Sequence, residues 1–306
     1  MSAPRFDILI AGEINPDLIL SGDVVLEFGQ SEQLVGDARL EPGSSSVIFA
    51  CGAARLGLRV AFAGVCGDDL FGRFMLEAMR TRGVDVSRVR RAPDERTGIS
   101  VILNRVHDRA ILTFLGAMGA LRAEAIPSDL LRTARHLHVS SYFLQTGLQP
   151  GLPDLFARAQ GMGLTTSLDT NWDPAEAWQG VSDVLGHTTV FLPNAAEACA
   201  LAGTRDAGSA AASLATRAGI VAVKLGAEGA LGAQGGRLLS VPAIPVQPVD
   251  TVGAGDTFDA GFLYAFLQGW DLEKCLRLGT ACGALSTQAA GGVAGQPTLE
   301  AALRHL

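Results

Sequence analysis

The run Pro248-Val-Asp-Thr-Val-Gly-Ala-Gly-Asp-Thr-Phe-Asp-Ala-Gly261 sets two glycines, Gly253 and Gly255, and the carboxylate of Asp256 where a loop turns into a helix. The unpaired backbone N–H groups of a helix start carry the positive end of the helix dipole, and small residues leave them open. That combination binds anions, most often phosphate. A carboxylate at the same place adds a base. The spacing also fits a plain glycine-rich turn with Asp256 as helix cap. A Walker A loop (G-x-x-x-x-G-K-[ST]) is absent from the chain, and a dinucleotide fingerprint fails at its third glycine, where Phe258 stands. Pro242, Pro245 and Pro248 also break the strand that such a fingerprint needs.

Four further clusters could carry chemistry. Glu13, Asn15 and Asp17 follow the short apolar run Phe6–Ala11. Asp169, Asn171 and Asp173 alternate after another apolar run and could face a charged ligand or form a solvated turn. Asn194 and Glu197 are spaced i, i+3 at a helix start, which suits either a capping pair or an oxygen site for Mg²⁺ reached through water. Lys224 ends a strand, as an interior salt-bridge partner or a phosphate contact, and Gly226 and Gly229 beyond it suit a tight turn or a close approach of nucleotide. Ser44–Ser46 could cap a helix or hydrogen-bond a polyhydroxyl ligand. His136 and His138 share a strand face, with no third ligand of matching spacing to complete a metal site.

These residues need a scaffold. Short apolar runs at 6–11, 59–64, 136–140, 164–168, 189–192 and 220–224 alternate with helical patterns at 47–56, 70–82, 151–161, 194–202 and 208–218. Such alternation predicts an α/β fold with a mostly parallel sheet. The polar clusters then sit at carboxyl ends of strands, where ligands bind in open parallel sheets. A strand-like pair, 97–103 and 110–115, breaks the rhythm with a polar turn through Asn104, Arg105, His107 and Asp108. Together with segments near 14–20 and 33–42 it predicts a small separate sheet, a lid spanning about 97–116 in its last part. Its apolar face needs cover by substrate, by the core or by a second subunit, the last as a homodimer through the lid.

The 306 residues and 48% hydrophobic content suffice for one large core, and no linker divides the chain. A net charge of -7 argues against a dedicated nucleic-acid binder. No apolar run of about 18 residues predicts a membrane span. Cys51, Cys66, Cys199, Cys275 and Cys282 form no C-x-x-C pair, and the N-terminus lacks a secretory pattern. Both point to a reduced, cytoplasmic setting.

The run Asp250-Thr-Val-Gly-Ala-Gly-Asp-Thr-Phe258 resembles the C-terminal signature of the PfkB/ribokinase family of sugar and nucleoside kinases. The similarity covers nearly the whole chain. Gly12–Asp17 resembles the family's substrate segment, Gly43–Gly57 and Gly64–Gly72 its first signature, Leu192–Glu197 its magnesium-associated N-x-x-E motif, and Val223–Gly229 its nucleotide loop. The resemblance implies a ribokinase-like three-layer α/β/α sandwich with a β-sheet lid, as a single domain over 1–306. It implies transfer of the ATP γ-phosphoryl group to a hydroxyl of a sugar or sugar derivative. Asp256 would be the base, and the N–H groups of Gly253, Ala254 and Gly255 the anion hole. Asn15, Asp17, Gly43, Ser44 and Ser45 would hold the acceptor. Asn194, Lys224, Gly226 and Gly229 would face ATP, with Mg²⁺ at Asn194 and Glu197 through water. Many relatives bind a monovalent cation such as K⁺ near the loops of Asp250 and Ala289–Gly292. The chain departs from the first signature at Ser44, usually a second glycine, and near Ile48, where the family carries an asparagine. Both departures bear on the acceptor rather than on the chemistry. A nucleoside kinase is the alternative, disfavoured by few aromatics in the acceptor segments. A non-catalytic sugar-binding relative would not need Asp256 and both loop glycines.

Overall fold

The computed structural model describes residues 4–22, 28–29, 31–105 and 108–306. In chain order the strands are β1 (Phe6–Ala11), β2 (Pro16–Ser21), β3 (Asp37–Pro42), β4 (Val60–Gly67), β5 (Asp85–Ala92), β6 (Ile99–Arg105) and β7 (Asp108–Phe114). They continue with β8 (Ala134–Val139), β9 (Thr165–Leu168), β10 (Val190–Phe191), β11 (Ile220–Lys224), β12 (Ala230–Gln234) and β13 (Arg237–Val241). Among the described residues they form a nine-stranded sheet, β13-β12-β11-β10-β9-β8-β1-β4-β5, and a four-stranded sheet, β3-β2-β6-β7. The large sheet is parallel from β11 to β5, and the two remaining pairings, β11 with β12 and β12 with β13, are antiparallel, so that only β12 runs against the rest.

Central strands are apolar on both faces because helices cover both. Successive side chains of β1 leave in opposite directions. Leu9 packs with Leu137, Phe156 and Phe191 on one side, and Ile8 and Ile10 pack with Phe49, Phe62 and Phe262 on the other. Two cores back to back across one sheet make the expected three-layer sandwich.

The small sheet stands beyond the carboxyl end of β1, since β2 continues from the Gly12–Asn15 turn. Its register sets Asp17 beside Ser100, and Ser100 beside Thr113. Asp69 ties the sheet to the body. It caps the Leu70–Thr81 helix through Gly72 N–H, and it also accepts Thr97 N–H at 2.8 Å and the Thr97 hydroxyl at 2.7 Å. Thr97 is the residue from which the chain leaves for β6, so one carboxylate fixes both helix start and lid root.

Several boundaries differ from the sequence reading. β5 has no counterpart in it. Arg88, Arg90 and Arg91 hide the strand signal, yet Val86 and Ala92 face inward and the arginines guard an exposed sheet edge. Residues 33–36 stay outside β3, which begins at Asp37. The helix expected over 208–218 is Ala207–Leu214. His107, placed by sequence in the β6–β7 turn, lies outside the described residues. Among the described residues no helix is long and apolar enough to cross a membrane.

His136 and His138 are structural. Both are fully buried, and their four ring nitrogens lie 2.6–2.7 Å from the hydroxyls of Thr165, Ser167 and Ser140. Burial holds both rings neutral, His138 with its pKa pushed down to about 3. With every ring nitrogen engaged, no lone pair is left for a metal.

Candidate active site

The polar clusters meet where the sandwich opens, at the carboxyl ends of β1, β9, β10 and β11. The Ala254–Leu267 helix points its N-terminus into this crevice. Gly253 is its N-cap, in the left-handed region at φ 72°. A Cβ there would lie 2.8 Å from Gly292 Cα and 2.9 Å from Ile48 Cγ2, so both backbone conformation and space require glycine. No side chain caps this helix. Among the described residues the N–H groups of Gly253, Gly255 and Asp256 have no protein acceptor, whereas Ala254 N–H reaches Thr251 O at 3.3 Å. The cap reading for Asp256 therefore fails: it stands in the first turn, with its carboxylate free to act beside open N–H groups.

Asp256 accepts a hydrogen bond from the Ser45 hydroxyl across the crevice. Burial, and next the charge of Asp169, push its carboxyl up to about 7. Ser45 begins the Ser45–Arg55 helix, and Ser44 caps that helix from the left-handed region at φ 65°, accepting Val47 N–H at 3.1 Å. The Ser44 hydroxyl also lies 2.8 Å from the Glu13 carbonyl and 2.9 Å from its Oε1. Glu13 further accepts Ser46 N–H and the Ser46 hydroxyl. Its charge is thus spent on latching the helix start to β1. Ser44 serves as cap and latch, and Ser45 is the hydroxyl that reaches Asp256.

On the lid side Asn15 is buried, with Nδ2 3.3 Å from both Asp17 Oδ1 and Ser100 Oγ. Gly43 faces Asp17 so closely that a Cβ would stand 2.1 Å from Asp17 Oδ1. The sequence-selected residues Asn15, Asp17 and Gly43 are therefore one cluster.

Behind the Gly253–Gly255 loop lies a buried ion group. Lys224 Nζ donates to Asp169 Oδ2 at 2.9 Å and to both oxygens of Asp259 at 3.2 Å. A Cβ on Gly255 would touch the lysine side chain at 3.6 Å. Of its two sequence readings, the interior salt bridge is the one formed. Burial raises Asp259 well above the ordinary carboxylate range, while the charge of Lys224 keeps Asp169 below it. The oxygens of Asp169, Asp256 and Asp259 approach within 4.8 Å of one another. Sequence reasoning passed over Asp259. Its signal was present, since Asp256 and Asp259 are i, i+3 and share a helix face.

Asn194 and Glu197 form a complete capping box. Glu197 N–H donates to Asn194 Oδ1 at 2.9 Å, and Asn194 N–H donates to Glu197 Oε2 at 2.9 Å. Burial raises Glu197 to about 7. Asp173 accepts the N–H groups of Ala175, Ala177 and Trp178 and so staples its own loop, while Asn171 donates to Ser141. Of that trio only Asp169 joins the ion group. Asp250 bridges two loops, accepting Val252 N–H at 3.0 Å and Gly291 N–H at 2.9 Å.

A cavity of about 560 Å³ extends from Lys224 and Gly255 away from the lid. Gly226 and Gly229 form a tight turn on its wall, closed by Leu225 N–H to Gly229 O at 2.9 Å. Gly229 has φ 103°, and a Cβ there would lie 2.1 Å from Val241 O. The turn is tight, and it borders a cavity of ligand size.

The chain matches the pfkB family carbohydrate kinase profile over residues 7–299. It is 35% identical over 273 residues to the 2-dehydro-3-deoxygluconokinase of Bacillus subtilis strain 168, covering 82% of each chain. It is 29% identical over 310 residues to the ribokinase of Haemophilus influenzae, covering 99% of each. The apo form of a putative ribokinase II from E. coli shares the fold, with a TM-score of 0.87 at 24% identity and 98% of both chains covered. The crevice, with an open helix N-terminus, a carboxylate beside it and an adjoining cavity, thus belongs to a chain of known kind: it is a member of the pfkB family of carbohydrate kinases.

Proposed function

We propose that this sugar kinase transfers the γ-phosphoryl group of ATP with Asp256 as base and the start of the Ala254–Leu267 helix as anion hole. One observation carries the assignment: Asp256 stands in the first turn of a helix whose Gly253, Gly255 and Asp256 N–H groups have no protein acceptor. Phosphoryl transfer asks for positioning and charge stabilisation, with little covalent work. A carboxyl raised to about 7 is poised to take a proton near neutral pH. Ser45 holds that carboxylate on the acceptor side. Asn15, Asp17 and Gly43 form the acceptor's cradle under the lid, and the cavity beyond Gly255 takes the nucleotide. Lys224 acts from behind the loop, as a fixed charge held by Asp169 and Asp259.

Asn194 and Glu197 would hold Mg²⁺. Their oxygen donors suit it, and because the capping box engages both Glu197 oxygens, contact through water fits better than direct ligation. When bound, the ion neutralises phosphate charge. K⁺ near Asp250 belongs to the same reading, since Asp250 already joins the loop of Gly291 to the loop of Gly253. The small sheet serves as lid to a single catalytic domain over 1–306. Its strand β7 leaves Leu112 and Phe114 about half exposed, and a second copy of the chain is the cover we infer for them. Free thiols throughout, four of the five buried, suit a cytoplasmic enzyme.

The test is ADP release from MgATP across a panel of sugars and sugar acids. Acceptor-dependent release is expected; tight sugar binding with no turnover on any acceptor would make the protein a binding relative. Gly43→Ala forces Asp17 away from its place. It should lower kcat/KM for the acceptor by about a hundredfold and leave KM for ATP unchanged in the same assay. Equal losses for both substrates would remove Asp17 from the acceptor cradle.

A further inference from the structure

Gln296 lies buried in the loop that follows the Leu272–Ser286 helix. Its Nε2 donates to Ile48 O at 2.8 Å and to Thr257 Oγ1 at 3.3 Å. Ile48 is in the first turn of the Ser45–Arg55 helix, and Thr257 is in the first turn of the Ala254–Leu267 helix. One amide group therefore bridges two helix starts. The Ile48 carbonyl can only accept, which fixes the end of the amide that faces it. Gln296 Oε1 has no hydrogen-bond partner, so the side chain holds through Nε2 alone.

The bridge stands on a rigid mount. Arg55 Nε, from the last turn of the first helix, donates to the Gln296 carbonyl at 2.9 Å. Pro297 restricts the backbone of Gln296 to extended forms. A Cβ on Gly295 would lie 2.1 Å from Ser286 O, so the loop is pressed against the end of the preceding helix. Space around the bridge is equally tight. A Cβ on Gly52 would lie 3.0 Å from Gln296 Nε2 and 3.2 Å from Ala260 Cβ. The two helices thus meet through small residues, with the amide beside them.

The same two helix starts carry the hydrogen bond from Ser45 to Asp256. Ser45 lies three residues before Ile48, and Asp256 lies directly before Thr257. Two rungs therefore join the same helix ends. The Ser45–Asp256 rung is part-exposed, and the Gln296 rung is buried. A buried amide cannot exchange its partners for water, so its bonds are costly to break. We propose that Gln296 is a positioning residue for the base: it fixes the spacing of the two helix starts and so keeps the Ser45 hydroxyl on Asp256. The proposal rests on the reading of Asp256 as base. Ser45 and the charge of Lys224 favour the ionised Asp256, while burial, Asp169 and Glu13 oppose it, and Asp259 faces it from the same helix. Losing the Ser45 bond raises the carboxyl further, so a higher pH is needed to ionise it.

Gln296→Met keeps the length of the side chain and removes its hydrogen bonds. With saturating MgATP and any acceptor the enzyme turns over, kcat should fall about tenfold, the scale of one hydrogen bond to a charged group. The acid limb of the pH profile should move to higher pH, and KM for ATP should hold. Ser45→Ala should do the same. Adding Gln296→Met to it should cost little more, because both act through one bond. A lower melting temperature with wild-type kcat and acid limb, or losses that multiply in the double variant, would make Gln296 a packing residue only and overturn the proposal. Thr257→Val removes the bridge at its other end and keeps the side-chain shape, so it reads the same effect should Gln296→Met not fold. A wild-type acid limb in that variant overturns the proposal as well. An Asp256→Asn variant with wild-type kcat strikes instead at the base reading beneath it.

Discussion

Asp256→Asn is expected to lower kcat by about 10²–10⁴-fold, the usual contribution of a positioned base, with ATP affinity little changed. Asparagine keeps the size of the side chain and can still pair with Ser45. It cannot take the acceptor's proton. The helix N–H groups are backbone and remain in place, so the anion hole survives the change. Steady-state kinetics with calorimetric ATP binding separate the two effects. A variant that keeps wild-type kcat would move the base to another residue, and a variant that loses ATP binding would show Asp256 to be needed for the pocket itself.

Lys224→Met should destabilise the protein by about 3–5 kcal/mol, the scale for removing one partner from a buried ion pair. Lys224 neutralises Asp169 and touches both oxygens of Asp259, and each of those side chains is about 1% exposed. Methionine fills similar space but leaves two buried carboxyls with no cation. Burial alone then raises both pKa values above those of the unfolded chain. The folded variant binds protons more readily than the unfolded one, so stability is lost as pH rises above the unfolded carboxylate range. Denaturant unfolding should therefore show a deficit that is larger at pH 8 than at pH 5. A deficit below about 1 kcal/mol, the scale of an exposed pair, would mean that water reaches the ion group.

The sandwich was readable because its central strands are short apolar runs between amphipathic helices, a pattern that survives without knowledge of contacts. β5 was not, because an edge strand buries one face at most, and Arg88, Arg90 and Arg91 erase even that alternation. At the site, glycine spacing marked the helix start correctly, and Gly253 has neither the backbone conformation nor the room for a side chain. Spacing could not tell cap from base at Asp256, because both readings need a carboxylate within one turn. Tertiary placement removed the cap reading. The same limit hid the partner of Lys224. Asp259 lies 35 residues away, and only the packing of the Ala254–Leu267 helix on β11 brings the two together. Glu13 shows the opposite case. It looked like a site residue beside Asn15 and Asp17, yet its oxygens are taken by Ser44 and Ser46. A carboxylate at a strand end is legible in sequence; whether its lone pairs are already used is not.

The pH dependence of acceptor kcat/KM at saturating MgATP tests the central assignment most directly. Asp256 must be ionised to accept a proton, and its carboxyl is raised to about 7. The rate should level off above about pH 8 and fall as the pH drops below 7, approaching about tenfold per unit well below it. An ordinary carboxylate titrates near 4, so a profile that stays flat from pH 8 down to about 5.5 would contradict a buried, proton-accepting Asp256.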